Sequence, residues 1–167
     1  GEIQHRSMDR ASLVSFRKSI RISCITGGLI PLVPTERATK RLDQSINRLF
    51  EIATTYTDQP NEVLIHLEQL KPTQAASLAL KEYLIDLFSR THLGRPLAVS
   101  TKSKYISKLR HFLTATDVLY LIAAGDADAI NEEILDFLEA LGRKNDEASE
   151  YARHIYSFFN TKPLLSL

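Results

Sequence analysis

Residues 73–91 read TQAASLALKEYLIDLFSRT, and their apolar side chains occupy most of the circumference of a helical projection. These apolar residues are Ala75, Ala76, Leu78, Ala79, Leu80, Tyr83, Leu84, Ile85, Leu87 and Phe88. A narrow polar strip is formed by Glu82, Asp86, Ser89 and Arg90. Because a helix that is apolar on most sides is buried on most sides, the stretch predicts the central helix of a bundle.

Amphipathic segments on both sides of this stretch also have helical spacing. Before it, we predict helices from Thr35 to about Thr55 and from Asn61 to Leu70. The candidate N-caps after it are Ser100 or Thr101, Asp117, Asp126 or Asp128, and Asn145 or Asp146. The candidate stop signals are Gly94, Gly125, Gly142 and Pro163. The sequence therefore predicts an all-α, single-domain bundle of roughly six to eight helices.

The 167-residue chain is long enough for one domain with a real core, and its 44% hydrophobic content is ordinary for a globular protein. The single cysteine, Cys24, excludes an internal disulfide framework. No segment has the run of about twenty apolar residues that spans a bilayer. We expect a protein of the intracellular, cytoplasmic compartment.

The chain divides near residue 34. We interpret residues 1–34 as a leader and N-terminal arm, because Gly27-Gly28, Pro31 and Pro34 interrupt any regular element there. Residues 1–7 precede the only methionine and are set aside as a leader. Residues 35–167 then form the helical bundle domain.

Charge is segregated after the central stretch. Residues 90–111 contain six basic and no acidic residues, and residues 112–142 contain seven acidic and no basic residues. The basic residues are Arg90, Arg95, Lys102, Lys104, Lys108 and Arg110. This positive block has three interpretations: a solvated surface, a face that meets the acidic helix of the same molecule, or a face that binds phosphates or an acidic protein.

Four residues of the positive block are the candidate contacts for nucleic acid or an acidic partner: Lys102, Lys104, Lys108 and Arg110. Within this group, Lys104 and Lys108 share a helical stripe with His111. A second basic flank, formed by Arg37, Arg41 and Arg48, would add to such a surface if it lay on the same side.

The acidic helix predicted up to Leu141 has a polar face without a cation. That face consists of Glu132, Glu133, Asp136 and Glu139. Glu132 and Asp136 are like charges four residues apart, which costs on the order of 0.2–0.5 kcal/mol. Solvent, another helix or a basic partner must relieve that repulsion, so we treat the four residues as candidate contacts for a basic partner.

No catalytic or metal-binding motif is found. The chain has no glycine-rich phosphate loop, no nucleophile elbow and no His-Glu-x-x-His sequence. Glu62/His66 and Glu150/His154 each lie four residues apart, but neither pair has the two further ligands that a metal site requires. We expect a non-enzymatic protein without a cofactor or a bound metal.

Amphipathic spacing recurs at Thr101, Tyr105, Leu109 and Phe112, in residues 134–138 (ILDFL), and in the stretch from Tyr151 to Phe159. With this spacing, the C-terminal part of the chain, from about Thr101 onward, resembles the helical core-binding domain of tyrosine recombinases. The resemblance implies a DNA clamp built from basic helices. The helix over residues 128–141 departs from that pattern because it is acidic where a phosphate-facing element would be basic.

Segregated charged faces and a well-supported apolar core, without catalytic motifs, favour a non-enzymatic module that binds another protein. The alternative is a nucleic-acid-binding helical domain that uses the basic stretch 90–111. One continuous basic face on the folded chain would favour nucleic acid.

Overall fold

Helices account for nearly all of the regular structure in the computed structural model, which describes residues 36–142 and 147–165. The helices are α1 Glu36–Thr55, α2 Pro60–Gln69, α3 Ala75–Ser89, α4 Val99–Ala115, α5 Val118–Ala124, α6 Ala127–Ala140, α7 Glu147–Phe159 and α8 Lys162–Leu165. The predicted all-α bundle is confirmed. The arm predicted over residues 1–34 and the caps at Thr35, Asn145 and Asp146 lie outside the described residues. Within those residues, no helix is long and apolar enough to cross a membrane.

Helix α3 is the central helix, as residues 73–91 predict. It contacts α1 and α2, which precede it, and α5, α7 and α8, which follow it. Its buried residues are Ala76, Ser77, Ala79, Leu80, Tyr83, Leu84, Leu87 and Phe88. At about 100° per residue these side chains occupy about half of the helix circumference, and the core forms on that half. The opposite half is less enclosed than the sequence predicts, because Ala75, Leu78 and Asp86 are exposed.

Two helices start earlier than their predicted caps. Helix α2 begins at Pro60 instead of being capped by Asn61, because proline is favoured in the first turn, where its missing N–H is not needed. Helix α4 begins at Val99, just before the predicted caps Ser100 and Thr101.

The boundary between α5 and α6 follows the sequence signals. Gly125 adopts a left-handed conformation with φ of +69° and ends α5. The side chain of Asp126 then accepts a hydrogen bond of 3.0 Å from the backbone N–H of Ala129 and caps α6. Asp117 stands at the N-cap of α5, but its side chain makes no capping bond.

Pro163 does not close the last predicted helix. Helix α7 ends at Phe159, and Pro163 lies in the first turn of the short helix α8, where a proline ring is tolerated. Leu164 of α8 is buried, and α8 packs on α3. Helix α8, which follows α7, therefore also packs on the central helix.

A β-hairpin that the sequence analysis did not predict connects α3 to α4. Strand β1 (Thr91–His92) pairs antiparallel with β2 (Arg95–Pro96), and Leu93 and Gly94 form the turn. Both turn residues have positive φ, +56° for Leu93 and +78° for Gly94. Tight two-residue hairpin turns require this geometry, but asparagine or glycine normally takes the first position.

We expect Leu84→Ala and Phe88→Ala to lower the free energy of unfolding by roughly 2–5 kcal/mol, because each truncation leaves a cavity in the enclosed helix. Leu84 is 0% exposed, and Phe88 is buried beside it. Urea denaturation measures the change. Leu135→Ala is the matched control, because Leu135 is 63% exposed. Unfolding midpoints for the two core variants equal to that of the control would mean that α3 is peripheral.

We expect Ser77→Ala to raise the free energy of unfolding by about 1 kcal/mol, because a buried hydroxyl without a partner is unfavourable and alanine is the better helix former. The Ser77 Oγ is buried and has no hydrogen-bond partner among residues 36–142 and 147–165. The contrasting variant is Thr116→Val, since the buried Thr116 Oγ1 donates a 2.8 Å bond to the Phe112 carbonyl. Chemical denaturation should show opposite signs for the two changes, and a loss of stability in Ser77→Ala would contradict the inference.

Candidate interaction surfaces

Helix α4 divides the positive block among three sides of the molecule. Lys102 points into the core, Lys104 and Lys108 approach α7, and Arg110 lies over a side chain of α1. A helix rotates about 100° per residue, so positions two apart point in nearly opposite directions. The four candidate residues therefore do not form one continuous basic face.

Lys102 is 2% exposed, which removes it from the set of surface contacts predicted by the sequence. Its Nζ lies 4.9 Å from the centroid of the Phe88 ring. Burial lowers the pKa of Lys102, and the charge of Asp58 acts in the opposite direction. The sequence spacing indicates this burial, because Lys102 lies four, seven and eleven residues before apolar residues that share one side of the helix. Those residues are Ile106, Leu109 and Leu113.

Lys104 and Lys108 share a single carboxylate. The Nζ atoms lie 3.4 Å and 3.3 Å, respectively, from the two oxygens of Glu150 on α7. Hydrogen bonds from Lys108 and Lys104 lower the pKa of Glu150. Lys108 also lies 4.4 Å from the centroid of the Tyr151 ring. The acid that pairs with Lys104 and Lys108 is therefore on α7, outside the acidic run, and no spacing rule links residues 42 and 46 positions apart.

Arg110 borders a cleft of about 300 Å³ between α1, α4 and α5. Its guanidinium carbon lies 5.3 Å from the centroid of the Phe50 ring. On the other side of the cleft, Tyr120 donates its hydroxyl hydrogen to Asp43, with an Oη–Oδ1 distance of 2.7 Å. Burial and this hydrogen bond raise the pKa of Tyr120. The Tyr120–Asp43 bond ties α5 to α1 and places a carboxylate near Arg110.

The predicted acidic face is also divided. Glu133 is 0% exposed, and its Oε2 lies 3.5 Å from the backbone nitrogen of Asp117 at the start of α5. This corrects its assignment to a solvent-facing surface, because Glu133 is enclosed together with the apolar side of α6. Glu132 and Glu139 are exposed, and Asp136 is partly buried.

The hairpin carries the most exposed large apolar side chain of the described residues, Leu93, which is 90% exposed. Together with the start of α4 it borders a depression of about 620 Å³. The lining residues, which we call the hairpin patch, are Leu93, Arg95, Pro96, Leu97, Ala98 and Thr101. Val99, the first residue of α4, is also exposed. An apolar tip beside a cation is typical of a protein-docking surface.

The one charged residue that lines the hairpin patch is a cation, Arg95. Arg90 is bound to Asp86 of α3 at 2.8 Å. Arg95 is exposed and forms no ion pair within residues 36–142 and 147–165. Sequence reasoning placed Arg95 in the positive block but missed the hairpin, because Leu93-Gly94 is not one of the usual turn pairs.

In both glutamate–histidine pairs the histidine ring packs against a tyrosine ring. The His66 ring packs against the Tyr56 ring at 4.5 Å, and the His154 ring lies 4.2 Å from the Tyr105 ring. Among the described residues, no group of three potential ligands could hold a metal ion. The two histidines therefore act as packing groups in this structure.

A scan against protein-family models and searches of curated proteins and of solved structures find no significant match for the chain.

We expect the protein to lose stability as the pH falls from about 6.5 towards 4. Burial, helped by the positive charges of Arg153, Lys108 and Arg90, lowers the pKa of His154 to about 4, while Glu150 opposes the shift. In this interval the unfolded chain binds a proton that the folded chain does not. The loss should be on the order of 2 kcal/mol at pH 4 and absent above pH 7.

Thermal melts from pH 4 to 8 at constant ionic strength measure this effect. The variant His154→Gln lacks the titrating ring, so its unfolding temperature should depend less steeply on pH between 6.5 and 4. Parallel curves for the wild type and the variant would mean that other groups cause the acid sensitivity.

Proposed function

We propose that the chain is a non-enzymatic module that binds another protein through the hairpin patch. The observation that carries the proposal is Leu93. It is 90% exposed at the tip of a protruding turn and held at a φ of +56°. Backbone strain of this kind costs about 1–3 kcal/mol and tends to occur at functional sites.

Burying a leucine side chain against a partner stabilises a complex by about 1.5–3 kcal/mol. Leu93 contributes nothing comparable to the fold, because it is almost fully in solvent. Pro96 and Leu97 extend the apolar surface beside it, and the short hairpin limits the conformations that must be lost on binding. Leu93 is thus suited to anchor a partner as a central, well-packed contact.

The partner's chemistry follows from the charges around the anchor. Arg95 lies in the patch, and residues 90–116 contain no acidic side chain. A complementary partner would present an apolar socket with an acidic rim. Rim charges of this kind mainly increase the association rate and orient the partner, whereas the apolar anchor sets the lifetime of the complex.

Nucleic acid remains the alternative, and the positions of the cations make it the weaker one. Lys102 is buried, and Lys104 and Lys108 already share Glu150. Arg110 points to a different side of α4, towards α1. A phosphate backbone would therefore meet separated and partly neutralised charges.

Selection from a library of random displayed peptides tests the proposal without a known partner. We expect the selected peptides to combine apolar residues with aspartate or glutamate, and Leu93→Ser to weaken their binding about tenfold or more. Leu135→Ser is the matched control, since it removes another exposed leucine, from α6, and should bind like the wild type. Peptides that bind Leu93→Ser as tightly as the wild type would contradict the hairpin patch.

Binding of mixed-sequence duplex DNA at low and near-physiological salt tests the alternative. The logarithm of the affinity falls with the logarithm of the salt concentration at about 0.9 per phosphate contact. Contacts from Lys104, Lys108 and Arg110 would therefore give a slope near −2.7. Tight binding at physiological salt that Lys104→Gln/Lys108→Gln loses would favour nucleic acid over a protein partner.

A further inference from the structure

A basic cleft that shares no residue with the hairpin patch lies between α1 and the segment that leads into α3. It has a volume of about 330 Å³. Its lining residues are Arg37, Ala38, Arg41, Ser45, Lys71, Pro72, Thr73 and Gln74. Three of them are cations and none is an acid. No ion pair within the described part of the chain involves Arg37, Arg41 or Lys71.

The fold fixes this arrangement. Arg37 and Arg41 are one helical turn apart, so their side chains leave α1 on the same side. The Gln74 Nε2 donates a hydrogen bond of 3.1 Å to the Ala38 carbonyl and attaches the start of α3 to α1. This bond holds the segment with Lys71 opposite the two arginines. Like charges one turn apart repel each other, and no lining carboxylate relieves the repulsion.

The start of α3 adds to the positive potential. The first backbone bond into the helix runs from the Leu78 N–H to the Gln74 carbonyl, at 3.0 Å. The Gln74 side chain makes no capping bond, because it is bound to Ala38 instead. The uncapped N–H groups of a helix start carry a partial positive charge. This contribution supports the three cations and would not define a site without them.

We propose that the cleft binds the phosphate group of a small ligand. Arginine recognises phosphate with paired N–H donors, and lysine adds a point charge. The Ser45 and Thr73 hydroxyls also line the cleft and can donate to the remaining oxygens. Three cations suit a doubly charged phosphate monoester better than a single carboxylate.

None of the lining residues is acidic. Residues 10–35, which lead into α1, contain no acidic residue. The cleft is also formed by elements other than the hairpin patch. The phosphate site and the protein-docking surface are therefore independent proposals, and either can fail without the other.

The test is isothermal titration of the full chain with inorganic phosphate and with pyrophosphate, at an ionic strength held constant with sodium chloride. We expect saturable binding of both anions and tighter binding of pyrophosphate. Arg41→Gln should raise the dissociation constants about tenfold or more, the effect of losing one charge-assisted hydrogen bond. Arg41 is exposed, so the variant should fold normally.

Arg48→Gln is the matched control, because it removes the same charge from the same helix outside the cleft. Arg48 is bound to Glu51 at 3.3 Å, and the variant should bind phosphate like the wild type. Equal weakening in both variants, or heat signals that do not saturate, would overturn the site. Mixed-sequence duplex DNA that binds more tightly than pyrophosphate and depends on Arg41 would overturn the small-ligand assignment.

Discussion

The enclosure of α3 is the constraint on which the other elements depend. The buried side chains of α3 occupy about half of its circumference, and five other helices pack against this helix. Each covering helix directs its own apolar side towards α3 or towards a neighbour that touches it. The charged sides then face away from the core, in directions set by the packing. The basic and acidic groups of the surface are therefore distributed by the core.

Three charged residues, Lys102, Asp117 and Glu133, depart from this rule and are buried. Lys102 of α4 places its ammonium beside the Phe88 ring of α3, and Glu133 of α6 lies close to the backbone at the start of α5. Burying an unpaired charge costs several kcal/mol, so such groups require favourable contacts. A cation over an aromatic face offsets about 2 kcal/mol when it is desolvated. The buried lysine thus depends on the same helix that the apolar core encloses.

Much of the fold could be predicted because its signals are local. The apolar circumference of residues 73–91 identified the central helix, and Gly125 and Asp126 marked a helix boundary by backbone and capping chemistry. The hairpin could not be predicted, because Leu93 occupies a turn position that favours asparagine. The prediction at Pro163 was wrong. Proline has no backbone N–H, so it interrupts a helix interior but is tolerated in the first turn of a new helix.

The candidate surfaces could be predicted only as sets of charges. The groups that these charges meet are distant in sequence. Glu150 pairs with Lys104 from 46 positions away. Lys71 lines the same cleft as Arg37 and Arg41, although a helix and a loop separate them in the chain. No periodicity encodes such pairings. The burial of Lys102 is different, because its spacing from Ile106, Leu109 and Leu113 was present in the sequence. Lys102 was assigned to the surface because of its charge, although its position in the helix indicated burial.

The cover of α3 by α7 and α8 has a consequence for biosynthesis. Helices α1 and α2 emerge from the ribosome before α3 and can pack on it at once, whereas α7 and α8 are the last elements of the described chain. At about 5–20 residues per second, several seconds pass between the synthesis of α3 and that of the helices that complete its cover. During this interval an apolar side of the central helix faces the solvent. A chain that exposes apolar surface in this way is prone to aggregation until α7 and α8 pack.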